Sequence, residues 1–313
     1  MILKGMRRGP LWPAKTSALI LIAFAWLLPI RGAAQTYSSG QPVWPAFEGW
    51  EKNDDGSFTF VFGYMNENWQ EELDVPIGPD NSIEPGGPDR GQPTHFQPRR
   101  NRFMFRVRVP ADWGNKEMIW TLATRGTPQK AYASLRTDLL IENIDLMSET
   151  GALGAGTSNP ELRADKPPVI AIQGPKSVNA KVGQSISLTA IVTDDGVPRR
   201  RGGGPGRPGG PNINLLPPSR ITVGKNLGLH LAWFVYRGAG KVTFDPVQVK
   251  TWEDTRTGAN SPWAPIWAPP PVPADGKYTV SATFAEPGTY VLRARADDGA
   301  LTSDEEVTVT VGR

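Results

Sequence analysis

An all-β chain of two β-sandwich domains joined by a flexible linker is the fold class this sequence predicts, and three observations carry it. The strongest segments alternate apolar and polar residues with period two, turn signals of Asp, Asn and Gly separate them, and few stretches show a helical period. Alternation is sharp at 102–109, where Phe103, Phe105, Val107 and Val109 share one face while Arg102, Arg106 and Arg108 take the other. It is equally clear at 288–296, where Tyr290, Leu292, Ala294 and Ala296 oppose Val291, Arg293 and Arg295. An Asp297-Asp298-Gly299 turn and a second alternating run, 305–311, then close the chain on a strand pair.

Residues 1–34 read as an export signal. They carry a basic start (Lys4, Arg7, Arg8, Lys15), an apolar run from Ala18 to Ile30, and small residues at Gly32, Ala33 and Ala34, which places cleavage after Ala34. A bilayer-spanning helix needs about 20 apolar residues. This run is shorter, and Pro29 and Arg31 end it, so no transmembrane segment is expected after signal cleavage. The signal holds five of the 34 basic residues and none of the 31 acidic ones, leaving 29 against 31. The basic isoelectric point near 9.1 therefore belongs mostly to the signal, and a nucleic-acid partner loses its compositional support. A periplasmic or extracellular location follows. With no cysteine, stability must come from apolar cores rather than disulfides, and lipid attachment at an N-terminal Cys is excluded.

The first domain is expected at 42–144. A strand at 57–64 follows an Asn53-Asp-Asp-Gly56 turn, with Phe58, Phe60 and Phe62 on one face; the strand at 102–109 comes next, and 117–125 and 130–136 form a hairpin across Gly126-Thr-Pro128. A turn-rich segment, 76–100, containing Pro85-Gly-Gly-Pro88 and His95, separates the first two strands; loops of that length are either functional or irregular. Residues 145–166, rich in Gly, Ser and Thr, read as the linker, with room for a short helical turn.

The second domain, 167–313, opens at Pro167-Pro168. Its strands are expected at 169–172, 184–193, 229–237, 241–244, 277–284, 288–296 and 305–311. Gly183-Gln-Ser-Ile-Ser-Leu-Thr-Ala-Ile-Val-Thr-Asp-Asp-Gly196, Leu231-Ala-Trp233, Lys241-Val-Thr-Phe244, Ala282-Thr-Phe-Ala-Glu-Pro-Gly-Thr-Tyr-Val-Leu292 and the closing strand pair resemble, in order, the PKD-like and bacterial Ig-like domains of secreted and cell-surface proteins. That resemblance implies an Ig-like sandwich with Trp233 in its core. For function it implies only a scaffold used in adhesion, spacing and ligand presentation. This chain departs from the pattern by two insertions, at 197–227 and 245–276.

In such a topology the B–C, D–E and F–G connections lie at one end, and both insertions fall there. The first holds Arg199, Arg200 and Arg201 in a Gly-Pro-rich tract, a cationic arm for an acidic glycan, an envelope polymer or a protein partner, or a solvated insertion with no ligand. The second holds Trp252, Trp263 and Trp267, whose rings suit a sugar or a Pro-rich peptide if exposed and the domain core if buried. Asp194, Asp195, Asp297 and Asp298 converge at the same end in two Asp-Asp-Gly turns. They are candidates for Ca²⁺, although Asp-Gly is also what a tight turn wants; no other cofactor is expected.

Little points to catalysis. The chain has two histidines and lacks Gly-x-Ser-x-Gly and Ser-x-x-Lys. His230 begins a strand as a packing or edge residue, and His95 is the single candidate base of its type. Glu67, Glu71, Glu72 and Asp74 beside Trp69 would suit a carboxylate-based sugar cleft, or equally a solvated edge. The expectation is an exported non-catalytic binding or scaffold protein, with a carbohydrate-active protein as the alternative. Exposed, coplanar tryptophans would favour the second and buried ones the first.

Overall fold

The computed structural model describes residues 37–149, 160–198, 228–252 and 271–313. The predicted signal and most of both insertions lie outside them. Residues from Tyr37 to Arg313 belong to one compact unit containing two sandwiches.

The first sandwich runs β1 (Val43–Lys52), β2 (Phe58–Asn66), β3 (Leu73–Asp74), β4 (Asn81–Glu84), β5 (His95–Phe96), β6 (Arg99–Val109), β7 (Met118–Thr124) and β8 (Thr127–Ala133). One sheet has the order β1-β2-β6, the facing one β4-β7-β8, and β3 pairs with β5. Aromatic rings fill the space between the two layers. Phe62 stacks on Phe105 at 5.0 Å, and Trp120 from the opposite layer meets Phe105 edge-on at 5.0 Å. The buried indole N–H of Trp120 donates to Asn81 Oδ1 at 3.0 Å, which satisfies it without water.

The expected alternation of β6 breaks at one point. Phe103 takes a left-handed φ of 52°, opposite an irregularity in the register between Phe62 and Tyr64. The extra residues shift the buried side to Met104 and leave Phe103 half-buried, so its expected inward face is corrected by a bulge. Gly63 sits opposite this bulge because the Asn101 carbonyl and the Glu48 carboxylate occupy the space a Cβ would need.

The second sandwich runs β9 (Val169–Gln173), β10 (Ser177–Lys181), β11 (Ser185–Thr193), β12 (His230–Arg237), β13 (Val242–Asp245), β14 (Lys277–Phe284), β15 (Gly288–Asp297) and β16 (Thr302–Gly312). Its sheets are β10-β16-β15-β12 and β13-β14-β11-β9. The first strand is split: β9 pairs antiparallel with β11, then β10 crosses to pair parallel with β16. This strand order is Ig-like. Near the start of β15 the Tyr290 hydroxyl donates to the Glu286 carbonyl at 2.9 Å, the corner bond such folds place there. Trp233 is buried in the core, as expected, with Tyr290, Leu292 and Phe284.

β12 is buried on both faces, which explains its unbroken apolar run. Leu231, Trp233 and Val235 point into their own sandwich, while Phe234 and Tyr236 pack into the core cluster of the first. The long segment before β5 clasps the end of this strand. Tyr236 Oη donates to the Gly91 carbonyl at 2.5 Å, Arg237 pairs with Asp89 through both terminal nitrogens, and the Gly238 amide donates to Thr94 Oγ1 at 3.0 Å. On β15, Arg293 lies over the Tyr236 ring and donates to the Met104 carbonyl of the first sandwich. Arg293 and Arg295, on the face opposite Tyr290 and Leu292, are thus enclosed, neutralised by Glu306 and Asp304.

Candidate functional site at the loop end of the second sandwich

Strand register gathers the connections at one end. The end of β11 lies beside the start of β14 (Ile191 opposite Lys277) and the start of β9 (Thr193 opposite Val169). In the other sheet the start of β12 meets the end of β15 (His230 opposite Asp297), which pairs with the start of β16 (Asp297 opposite Thr302). The first insertion therefore leaves and re-enters at the end that carries the Asp-Asp-Gly turns, and the second re-enters there at the start of β14, although it leaves from Asp245, opposite Ser281, and begins along β12, where Gln248 Oε1 accepts from the Trp233 amide. The segment entering β9 arrives there too. It begins with a helix, Asn143–Glu149, whose buried Met147 packs on Ala300 and Leu301 of the β15–β16 turn, and includes a second short helix, Pro160–Arg163.

Each turn spends carboxylate oxygens on its own amides. Asp194 Oδ2 accepts from the Gly196 amide at 2.9 Å, and Asp297 Oδ1 from the Gly299 amide at 2.6 Å. Asp298 Oδ1 accepts from the amides of Ala300 and Leu301 at 2.6 and 2.8 Å. Asp195 uses both oxygens, on the amides of Val197 and Lys166. The four aspartates the sequence singles out therefore do meet at one end, and a fifth, Asp165, joins them. Sequence reasoning passed over Asp165 because it falls in the linker. Its carboxyl is pushed up to about 7, first by burial and then by the charges of Asp195 and Asp194. Burial likewise raises Asp298, to about 8, with Asp165 and Asp297 adding to the effect. No group of three or more His, Cys, Asp or Glu is gathered as a metal cage among the described residues.

Of the aromatic and basic candidates, Trp252 is buried beneath Lys250, whose ammonium lies 4.8 Å from the ring. Arg199, Arg200, Arg201, Trp263 and Trp267 fall outside the described residues. A groove of about 380 Å³ opens beside this end, with Phe103, Ile141, Leu146, Pro167 and Leu301 among its lining. The helix that starts the linker forms part of its wall.

The first-sandwich candidates are committed elsewhere. Trp69 is buried, with the Arg99 guanidinium 3.9 Å from its ring, so it presents no open platform. Glu71 pairs with Arg125 at 2.5 Å and also accepts from the Gly40 amide. His95 is buried with Asp74 at 2.8 Å on Nδ1 and Glu72 at 3.1 Å on Nε2. Burial works to lower its pKa, but the two carboxylates outweigh burial and raise it to about 9. An imidazolium held on both nitrogens has no lone pair to act as a base at neutral pH. His230 is buried at the start of β12, the edge strand of its sheet, its Nδ1 2.8 Å from the Gly228 carbonyl.

No protein-family model and no curated protein matches the chain. Among solved structures it is similar to a conjugative transposon lipoprotein from Bacteroides eggerthii, at 12% identity and a TM-score of 0.24, over 46% of this chain and 96% of that one. It is similar to the Yersinia pseudotuberculosis adhesin InvE at 10% identity and a TM-score of 0.23, over 86% of this chain and 58% of that one. A titin Z1Z2 chimera matches at 12% identity and a TM-score of 0.22, over 88% of this chain and all of that one. The Ig-like assignment rests on the strand order and the tyrosine corner described above. Among the described residues, no helix is long and apolar enough to cross a membrane.

Proposed function

We propose that this chain is an exported, non-catalytic binding or scaffold protein of the cell envelope or exterior, and that it binds through the loop end of its second, PKD-like sandwich. The observation that carries this reading is the strand register, which brings both ends of the first insertion, the return of the second and the β15–β16 turn to one end of the sandwich. The outer face of β12 and β15 is occupied by the first sandwich, which takes that face away from a partner. Export is supported by the composition of residues 1–34. The non-catalytic reading is supported by His95, paired on both ring nitrogens. The partner is an envelope polymer, a glycan or a protein.

The test is capture from envelope extract with the chain as bait. Deleting residues 199–211, or changing Trp263 and Trp267 to Ala, should abolish capture of whatever the parent retrieves. The deletion should leave the melting temperature within about 2 °C, because a Gly-Pro-rich loop buries little apolar surface. Undiminished capture by both variants moves the binding surface to the first sandwich.

A further inference from the structure

We propose that the loop end of the second sandwich is a pH-gated latch: Asp165, on the segment entering β9, and Asp298, in the β15–β16 turn, stay docked as uncharged acids and part when both ionise. The geometry behind it is burial without partners. Asp165 is 2% exposed, and neither of its carboxyl oxygens has a hydrogen-bond partner. Asp298 is also 2% exposed; its Oδ1 serves the amides of Ala300 and Leu301, and its Oδ2 has no partner. The same turn carries the apolar contact of the linker, Met147 packed on Ala300 and Leu301. One further bond ties the segment down, from the Lys166 amide to Asp195 in the β11–β12 connection.

A buried carboxyl without a partner is tolerable as the neutral acid and costly as the anion. Burial is the larger cause in both residues, carrying Asp165 to about 7 and Asp298 to about 8. Acidic neighbours add to it: Asp195 and Asp194 act on Asp165, and Asp165 and Asp297 on Asp298. Asp194 is itself pushed up by burial, with its Oδ1 unpartnered. The other charged groups at this end do not offset them. Arg163, Lys166 and Lys277 are exposed, as is Asp275, and Asp145 is spent on the Glu142 amide at the start of the linker helix. His230, opposite Asp297, turns Nδ1 to the Gly228 carbonyl. Released into water, each acid returns to its ordinary value of 3.8, so the docked state holds both protons more tightly than the open one. Docking is therefore at full strength below about pH 4 and is lost as pH rises through about 7 to 8. The consequence is a loop end whose linker side is closed in acid and open in alkali.

The experiment is amide hydrogen exchange of the intact chain, read by mass spectrometry on peptides covering 160–168 and 297–302 and corrected for the intrinsic effect of pH on exchange. Between about pH 5 and pH 8 the parent should lose protection in both peptides by about tenfold or more. The double variant Asp165→Asn with Asp298→Asn copies the uncharged acids. It should match the parent at pH 5 and hold its protection within about threefold up to pH 8, because neither side chain can ionise. Titration of His95 affects parent and variant alike and so cancels from the comparison. Protection in the parent that does not change with pH overturns the proposal. So does a pH dependence that survives in the double variant, which would assign it to His230 or another group. Partner capture enters neither readout, so the latch and the binding role proposed above stand or fall separately.

Discussion

At the residue scale, His95 is where the first sandwich is most sensitive to pH. Its pKa is raised from the ordinary 6.5 to about 9, so the protonated form favours the folded state. The stabilisation is complete below about 6.5 and is lost as pH rises through about 9, amounting to about 3 kcal/mol at most. His95→Gln keeps the bulk and drops the charge. It should therefore be less stable than the parent at pH 6, with the gap closing by about pH 9.5. Urea denaturation across that range checks this, and parallel curves for the two proteins would sink it. Arg293 offers a test without titration. It is 7% exposed, pairs with Glu306 and reaches the Met104 carbonyl, so Arg293→Ala leaves that buried carbonyl without its donor while Asp304 keeps Arg295. Chemical denaturation should register a loss of about 1 to 3 kcal/mol.

At the element scale, β12 separates what the sequence disclosed from what it withheld. Trp233 was legible as a core residue from its place on the third strand of an Ig-like pattern, and the period-two faces of β15 and β16 placed the second core correctly. The signal for two-sided burial was equally present, since Leu231-Ala-Trp-Phe-Val-Tyr236 has no polar alternation, but a continuous apolar run does not say what covers its second face. β1 escaped because Pro45 and Gly49 interrupt it, and β10 because Ser177-Val-Asn-Ala-Lys181 is short and largely polar. The turn-rich stretch before β5 could not be assigned from sequence, because its role as a clasp depends on residues some 145 positions away. At the loop end the two Asp-Asp-Gly turns were legible, whereas Asp165 needed the register of β9 against β11 to bring it near them. Phe234→Ala and Trp233→Ala should separate the faces of β12. In a fragment spanning 167–313, Trp233→Ala should cost about 3 to 5 kcal/mol and Phe234→Ala under about 1, whereas in the intact chain both should be costly. Equal costs in the fragment would mean that Phe234 serves its own sandwich.

At the scale of the whole molecule, two cores meet across β12, the clasp before β5 and the Arg293 bond to the Met104 carbonyl. The second sandwich closes its core with its own strands, and the first adds Phe234 and Tyr236 to its buried cluster, with Val291 of β15 packed against it. We propose that fragments 42–144 and 167–313 each fold alone, the first with lower stability because it forfeits those two rings. In the intact chain the shared rings, the Asp89–Arg237 pair and the Tyr236 bond to Gly91 tie the units together. The pair is partly exposed and contributes little by itself, about 1 kcal/mol or less. Tyr236, buried against Arg293 and bonded across the junction, carries more of the coupling. Differential scanning calorimetry of the intact chain should therefore give a single cooperative transition rather than two. Tyr236→Ala combined with Asp89→Ala should divide it, with the first sandwich melting at the lower temperature and the second close to the temperature of its isolated fragment. Two resolved transitions in the parent would mean that the junction is an adhesive contact between independent domains. A single transition that survives the double change would place the coupling on the Arg293 bridge to the Met104 carbonyl instead.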